Sequence, residues 1–296
     1  MGARPTSAAN MRGIFAMLIS QALFLMSDSI VKLAGETLAP SQIMAVRGMM
    51  AVYLVGAILV ATVSWRKWYM VLRPLVVIRG VIEGAVAVFF LISLPHLQLG
   101  QITVISQVTP LILTVMSAVL LGEAVGRSRW LAVAVGFVGV VLVAQPTANG
   151  ISIHVAGALI MSLLVAARDL ITRFIDPNVP TGVVTFTSTV AVCALGFAGL
   201  EPQPWAPLTT NAVTMLAASA ILVTLGIVFV VIAFRDVEVS VVSPFRYSAV
   251  VWATLYGYLL WNERPNDIAL IGTALIVLAG LFAMQQEARA LRRRSP

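Results

Sequence analysis

Ten stretches of about twenty residues run apolar on consecutive positions, and this feature limits most tightly what the chain can become. A helix that crosses a bilayer needs about 20 such residues, because its backbone N–H and C=O groups must pair within the segment where water cannot reach. Lipid-spanning strands would alternate in character, and these stretches do not. Reading along the chain predicts helices near 11–33, 41–63, 74–95, 100–121, 128–145, 152–175, 181–199, 211–234, 239–261 and 266–285. The fold class is therefore an all-α integral membrane protein of ten transmembrane helices. Of the 296 residues, 60% are hydrophobic and only 10% charged, with a mean hydropathy of +0.99. A soluble domain carries about 25% charged residues. The composition thus disfavours a soluble enzyme, a nucleic-acid binder and a secreted disulfide scaffold, and no nucleic-acid partner is expected. The lipid bilayer is the first partner.

Clusters of Pro, Gly and Asn separate the stretches, as at Ala39-Pro40, Pro95-His96, Pro146 to Gly150, Asp176 to Pro180, Pro202 to Pro204 and Arg264 to Asn266. The first stretch is too long for the core of a signal peptide and reads as the first spanning helix. Lys and Arg then set the orientation. With the N-terminus in the cytoplasm, the inner segments hold thirteen basic residues: Arg4, Arg12, Arg66, Lys67, Arg73, Arg127, Arg129, Arg173, Arg235, Arg289, Arg292, Arg293 and Arg294. The outer loops hold only Arg264. Both termini are expected in the cytoplasm, in a multi-pass protein of a bacterial-type inner membrane. The pI near 10.3 reflects this bias and not an affinity for DNA.

The two halves resemble each other at an offset of about 140 residues. Asp28 and Lys32 recur as Asp169 and Arg173, and Pro40 recurs as Pro180. The fourth stretch carries Thr103, Ser106, Gln107, Pro110, Thr114 and Ser117 on one helical face; the ninth answers with Ser243, Arg246, Tyr247, Val250, Thr254 and Gly257. Both end in an acidic turn, Gly122-Glu123 and Asn262-Glu263. Five helices per half is an odd number, so the second copy enters the membrane from the opposite side. This predicts two inverted five-helix repeats, 1–147 and 148–288, followed by a basic cytoplasmic tail, 289–296. Inverted repeats are common in secondary transporters, whose substrate sits near the midplane. Pro110 and Pro244 are the expected helix breaks, in matched helices but six positions out of register.

The stretches "ITVISQVTPLILTVMSAVLLGEAVGRSRWLAVAVGFVGVVLV" and "VSVVSPFRYSAVVWATLYGYLLWNERPNDIALIGTALIVLAGLF" resemble the two halves of EamA-type members of the drug/metabolite transporter superfamily. The shared signature is a polar-striped helix closing on Gly-Glu, then a last helix with spaced glycines. Asn262 stands where the family usually has Gly. The resemblance covers nearly the whole chain and implies inner-membrane transport of metabolites, a class too varied in cargo to name one.

Charges inside the apolar stretches are the candidate functional residues, since a basic or acidic group at mid-membrane costs about 2.5 to 3.5 kcal/mol on insertion scales. They are Lys32, Arg47, Arg79, Arg168 and Arg246, with Asp28, Glu83 and Asp169. Arg79 and Glu83 are spaced i,i+4 and can pair along one face, either as a structural lock or as a pair broken by cargo. Arg168 and Asp169 are neighbours in sequence and are expected to point apart. Arg246, beside Pro244 and near Tyr247 and Trp252, fits a clamp for carboxylate or phosphate. Cargo contacts are expected from Arg246, Tyr247, Gln107, Thr103, Arg79, Arg47 and Trp252, and coupling or gating from Glu83, Asp169, Arg168, Asp28 and Lys32. Glu123 and Glu263 are expected to close loops at helix ends.

The five-to-three excess of embedded basic groups leans toward an anionic or zwitterionic small molecule, such as an amino acid, organic acid or vitamin-like compound. A cationic drug or metabolite exporter of the same fold, and a non-transport membrane enzyme or complex subunit, remain the alternatives. No phosphate-binding or dinucleotide fingerprint is present, so energy is expected from a proton or counter-substrate and not from ATP. His96, His154 and the single Cys193 have no metal-ligand spacing, and neither metal nor cofactor is expected.

Overall fold

The computed structural model describes residues 7–63, 65–123, 125–146, 150–199, 204–234, 237 and 239–294. The turn residues Thr147, Ala148, Asn149, Pro202 and Gln203 and the basic residues Arg4 and Arg235 lie outside the described residues. The described elements are all helical: α1 Ser7–Ala34, α2 Pro40–Thr62, α3 Pro74–Ser93, α4 Leu99–Ser106, α5 Thr109–Leu121, α6 Arg127–Ala144, α7 Ile153–Thr172, α8 Thr181–Ala198, α9 Thr210–Phe234, α10 Val239–Val242, α11 Ser248–Trp261 and α12 Asp267–Arg294. Among the described residues, nine helical spans are long and apolar enough to cross a membrane, with α4 and α5 counted together. The ninth stretch of the sequence is divided into α10, a 3-10 turn Ser243–Tyr247 and α11.

Both interruptions have a local cause. Proline lacks an N–H and clashes with the preceding turn, so a helix carries it best in its first turn. Pro110 sits there in α5, with α4 ending at Ser106, and Pro244 opens the 3-10 turn. Helix starts are in register although the prolines are not: α4 and α10 begin 140 residues apart, as do α6 and α12. Gly122 (φ 66°) and Asn262 (φ 52°) each end a helix in the left-handed region. Asn tolerates that region better than other side chains, which is why it can stand in for Gly. The sequence reading has no element between 63 and 74, where a 3-10 helix, Trp65–Leu72, forms; its Met70 is buried against Leu59, Val76, Val179 and Val183.

The chain packs as two compact units, each assembled from both sequence halves. One comprises 1–26, 98–152 and 225–296, and the other 27–97 and 153–224. In the second unit α2 lies against α8, and α3 lies against α7 and α8. A Cβ on Gly48 would stand 2.9 Å from the backbone of Cys193, so α2 and α8 meet almost backbone to backbone. In the first unit α6 lies against α12, where Gly139 and Gly272 face each other's carbonyls. Close packing of small residues is how helices associate where lipid removes the hydrophobic drive. Larger side chains such as Ile43, Leu111 and Ile276 fill the interior, while Val119, Leu131, Val231, Val251 and Leu278 are exposed.

Candidate functional site

In the second unit, helices α3, α7 and α8 bring four charges and two hydroxyls together. Arg168, near the end of α7, donates from Nη1 to both oxygens of Glu83 on α3, at 3.1 and 3.0 Å. Its Nε and Nη2 donate to Oδ1 of Asp169, at 2.9 and 2.8 Å. Arg79, one turn before Glu83, donates from Nε to the Thr172 hydroxyl at 3.0 Å and from Nη1 to the Ser188 hydroxyl at 2.6 Å. Its Nη2 lies 3.9 Å from Glu83 Oε2, an ion pair but too long for a hydrogen bond. The charged side chains are between 17% and 32% exposed, so the cluster is neither sealed nor fully wet.

Two expectations change here. Arg79 and Glu83 do face each other, but Arg168 and not Arg79 holds Glu83 in hydrogen-bond contact. Arg168 and Asp169 do not diverge: the long, flexible arginine side chain turns back onto its neighbour, overcoming the helical rotation between adjacent residues. Thr172 and Ser188 were missed. Thr172 stands one turn after Arg168 and bonds to its carbonyl, a spacing visible in the sequence, whereas Ser188 on α8 gives no such signal.

Elsewhere in this unit, Arg47 donates to the Ser27 hydroxyl at 3.1 Å and is the charge acting on Asp28. Lys32 is buried and donates to the Leu97 carbonyl at 2.7 Å. The rings of His96, in the 3-10 turn Leu94–His96 after α3, and His154, at the start of α7, stack with centroids 3.8 Å apart, a contact invisible in the sequence. At the loop end, Arg73 donates to Asp176 at 2.6 Å. That bond, with the Asn178 N–H, holds the Asp176 carboxyl below its usual range.

The remaining candidates belong to the first unit. Gln107, at the break between α4 and α5, donates to the backbone carbonyl of Arg246 at the other break, at 3.3 Å. Arg246 itself is exposed, and Tyr247 is buried with its hydroxyl at the place a Cβ on Gly280 would occupy. Trp252 stacks on Tyr256. The hydroxyls of Thr103, Ser106 and Thr114 bond to carbonyls of their own helices. Glu263 accepts the Leu99 N–H at 2.7 Å, so this carboxylate caps α4, where a helix favours negative charge.

Apolar spans, two interrupted helices and charges paired inside the spans fit a multi-pass membrane protein. The EamA-like transporter family model matches the chain twice, at residues 11–145 and 148–285, and the chain belongs to that family. It is similar to the pseudopaline exporter CntI of Pseudomonas aeruginosa, 22% identical over 90% of this chain and 94% of that protein. It is also similar to a riboflavin transporter of Rhizobium johnstonii, 25% identical over 68% of this chain and 67% of that one. An S-adenosylmethionine uptake transporter of Rickettsia conorii is 25% identical over 65% of each chain. A solved crystal structure shares the fold, with a TM-score of 0.59 at 20% identity over 97% of this chain and 99% of its own. The protein is a small-metabolite transporter and not an enzyme, which removes the enzyme alternative.

Proposed function

We propose that this chain is a secondary transporter working by alternating access, with ten spans in two inverted repeats, 1–147 and 148–288, and both termini in the cytoplasm. Its cargo is a small polar or amphipathic metabolite bearing a carboxylate or phosphate. The observation that carries this reading is the cluster of Arg79, Glu83, Arg168 and Asp169, because charges are retained inside spans mainly where a substrate or ion path uses them. The shared register of the helix starts and the double family match support the repeats. The junction of Gln107 with the Arg246 carbonyl supplies a second polar locus, where interrupted helices expose backbone groups to cargo or gate it. Energy comes from a proton or a counter-substrate.

Counterflow in proteoliposomes tests the reading. The purified chain is loaded with each member of a panel of organic acids, amino acids, amines and vitamins, and radiolabelled compound is offered outside. Exchange of an acid or amino acid, lost in Arg79→Gln, is expected. Exchange restricted to amines without an acidic group favours the cationic carrier, and no exchange of any compound overturns the transport reading.

A further inference from the structure

We infer that the cluster in the second unit is a receptor for a zwitterionic head group, an α-amino carboxylate, whose carboxylate is taken by Arg79 and whose ammonium is taken by Asp169. The inference rests on the proposed transport function and narrows its cargo.

Charge balance gives the first reason. Two guanidinium groups face two carboxylates, so the cluster is formally neutral as it stands. An added anion would leave it with one net negative charge, and an added cation with one net positive charge, in a partly buried site where unbalanced charge is costly. A zwitterion adds a charge of each sign and leaves the balance unchanged. The excess of embedded basic residues along the whole sequence therefore overstates the preference for an anion at this place.

The hydrogen bonds give the second reason, because they leave one pole of each sign available. Arg168 is committed to carboxylates through Nε, Nη1 and Nη2. Arg79 is not: its two hydrogen bonds go to neutral hydroxyls, which in turn donate to the carbonyls of Arg168 and Val184. Thr172 and Ser188 thus aim lone pairs at the guanidinium and fix its direction without neutralising it. Among the described residues, the Arg79 Nη2 edge has only the 3.9 Å contact to Glu83. On the acidic side, Asp169 accepts both Arg168 bonds on Oδ1, and its Oδ2 accepts none among the described residues. Arg168 bridges Asp169 to Glu83, and Glu83 lies 3.9 Å from Arg79, so both poles belong to one linked cluster. A forked donor binds a carboxylate through two N–H groups, and a carboxylate oxygen accepts from an ammonium.

Phosphatidylethanolamine presents the same chemistry, an acidic oxygen with an ammonium close by, and the test separates a soluble amino acid from this lipid. The full chain is purified into nanodiscs of phosphatidylglycerol, and thermal unfolding is followed with each of the common amino acids at about 10 mM. For each that stabilises, the matched amine without the carboxylate and the matched acid without the amino group are measured. At least one amino acid is expected to raise Tm by about 2 °C or more, with the one-pole analogues giving little of the shift. Arg79→Lys and Asp169→Asn should each abolish the shift, and Ser188→Ala, which leaves every charge in place, should weaken it.

An acid or amine as effective as its parent amino acid overturns the inference, as does a shift in none of the amino acids. Stabilisation that appears only when phosphatidylethanolamine is added to the discs also overturns it and assigns the site to lipid. Counterflow separates the two readings. Exchange of one-pole acids without amino-acid binding leaves the transporter standing and removes the zwitterion site, whereas amino-acid binding with no exchange of any solute does the reverse.

Discussion

A single nitrogen of Arg168, Nη1, spans both carboxylate oxygens of Glu83 at 3.1 and 3.0 Å, across 85 residues of sequence. The rest of the same guanidinium holds Asp169, so one side chain keeps two carboxylates compatible at the interface of α3 and α7. Removing Arg168 would leave those carboxylates facing each other without their shared cation.

Arg168→Met should therefore be among the most damaging single changes in the second unit, costing about 3 kcal/mol, as expected when one partner of a largely buried pair is lost. The double variant Arg168→Met, Asp169→Asn should regain most of that loss, since Arg79 and Glu83 then remain as a balanced pair. Thermal unfolding in detergent measures both, and a double variant no more stable than the single one would show that the ion pairs are not what Arg168 contributes.

The proposed orientation, with both termini in the cytoplasm, rests on thirteen basic residues against one. In a Cys193→Ala background, cysteines at Ser152 and Pro207 should react in intact cells with an impermeant thiol reagent, and cysteines at Lys67 and Gly126 should react only after the membrane is opened. Labelling of the Lys67 position from outside would place the loops the other way round.

At the junction of the two breaks, Gln107 satisfies the carbonyl of Arg246. Gln107→Leu removes that donor and should slow transport several-fold, by loosening the break more than by weakening cargo binding. Arg246→Lys keeps the charge but loses the fork, so a clamp role predicts loss of most counterflow, whereas near-normal counterflow would reduce Arg246 to a generic positive charge.

The Tyr247 hydroxyl is buried, accepts and donates nothing among the described residues, and lies where a Cβ on Gly280 would fall. Gly280→Ala should lower Tm. Tyr247→Phe should be neutral or stabilising, because an unmade hydrogen bond is removed, and it should rescue part of the Gly280→Ala loss. Additive effects in the double variant would mean the two residues do not share that space.

The Arg73 to Asp176 pair predicts a pH dependence. The hydrogen bond from Arg73 lowers the Asp176 pKa in the folded chain, so its stabilisation is fully present above the unfolded carboxylate value of about 3.9 and is lost as pH falls through the lower folded value. Stability measured downward from pH 6 should fall less steeply for Asp176→Asn than for the parent chain. An unchanged slope would exclude Asp176 as a contributor.

By itself the sequence determined that the chain spans a membrane with helices, because twenty consecutive apolar residues have one stable backbone solution in lipid. The same local physics placed the helix breaks near Pro110 and Pro244 and the left-handed turns at Gly122 and Asn262. It also marked Arg79, Glu83, Arg168 and Asp169, since charge in an apolar run is conspicuous without any knowledge of partners. The partners were decided only by tertiary structure. Whether Glu83 meets Arg79 one turn away or Arg168 on another helix depends on how α3 and α7 approach, and that approach is set by small residues packing across the chain. For the same reason Ser188, an unremarkable serine on α8, directs Arg79, and Tyr247 turns inward against a glycine of α12: spacing along one helix fixes a face, while only packing between helices fixes what that face meets.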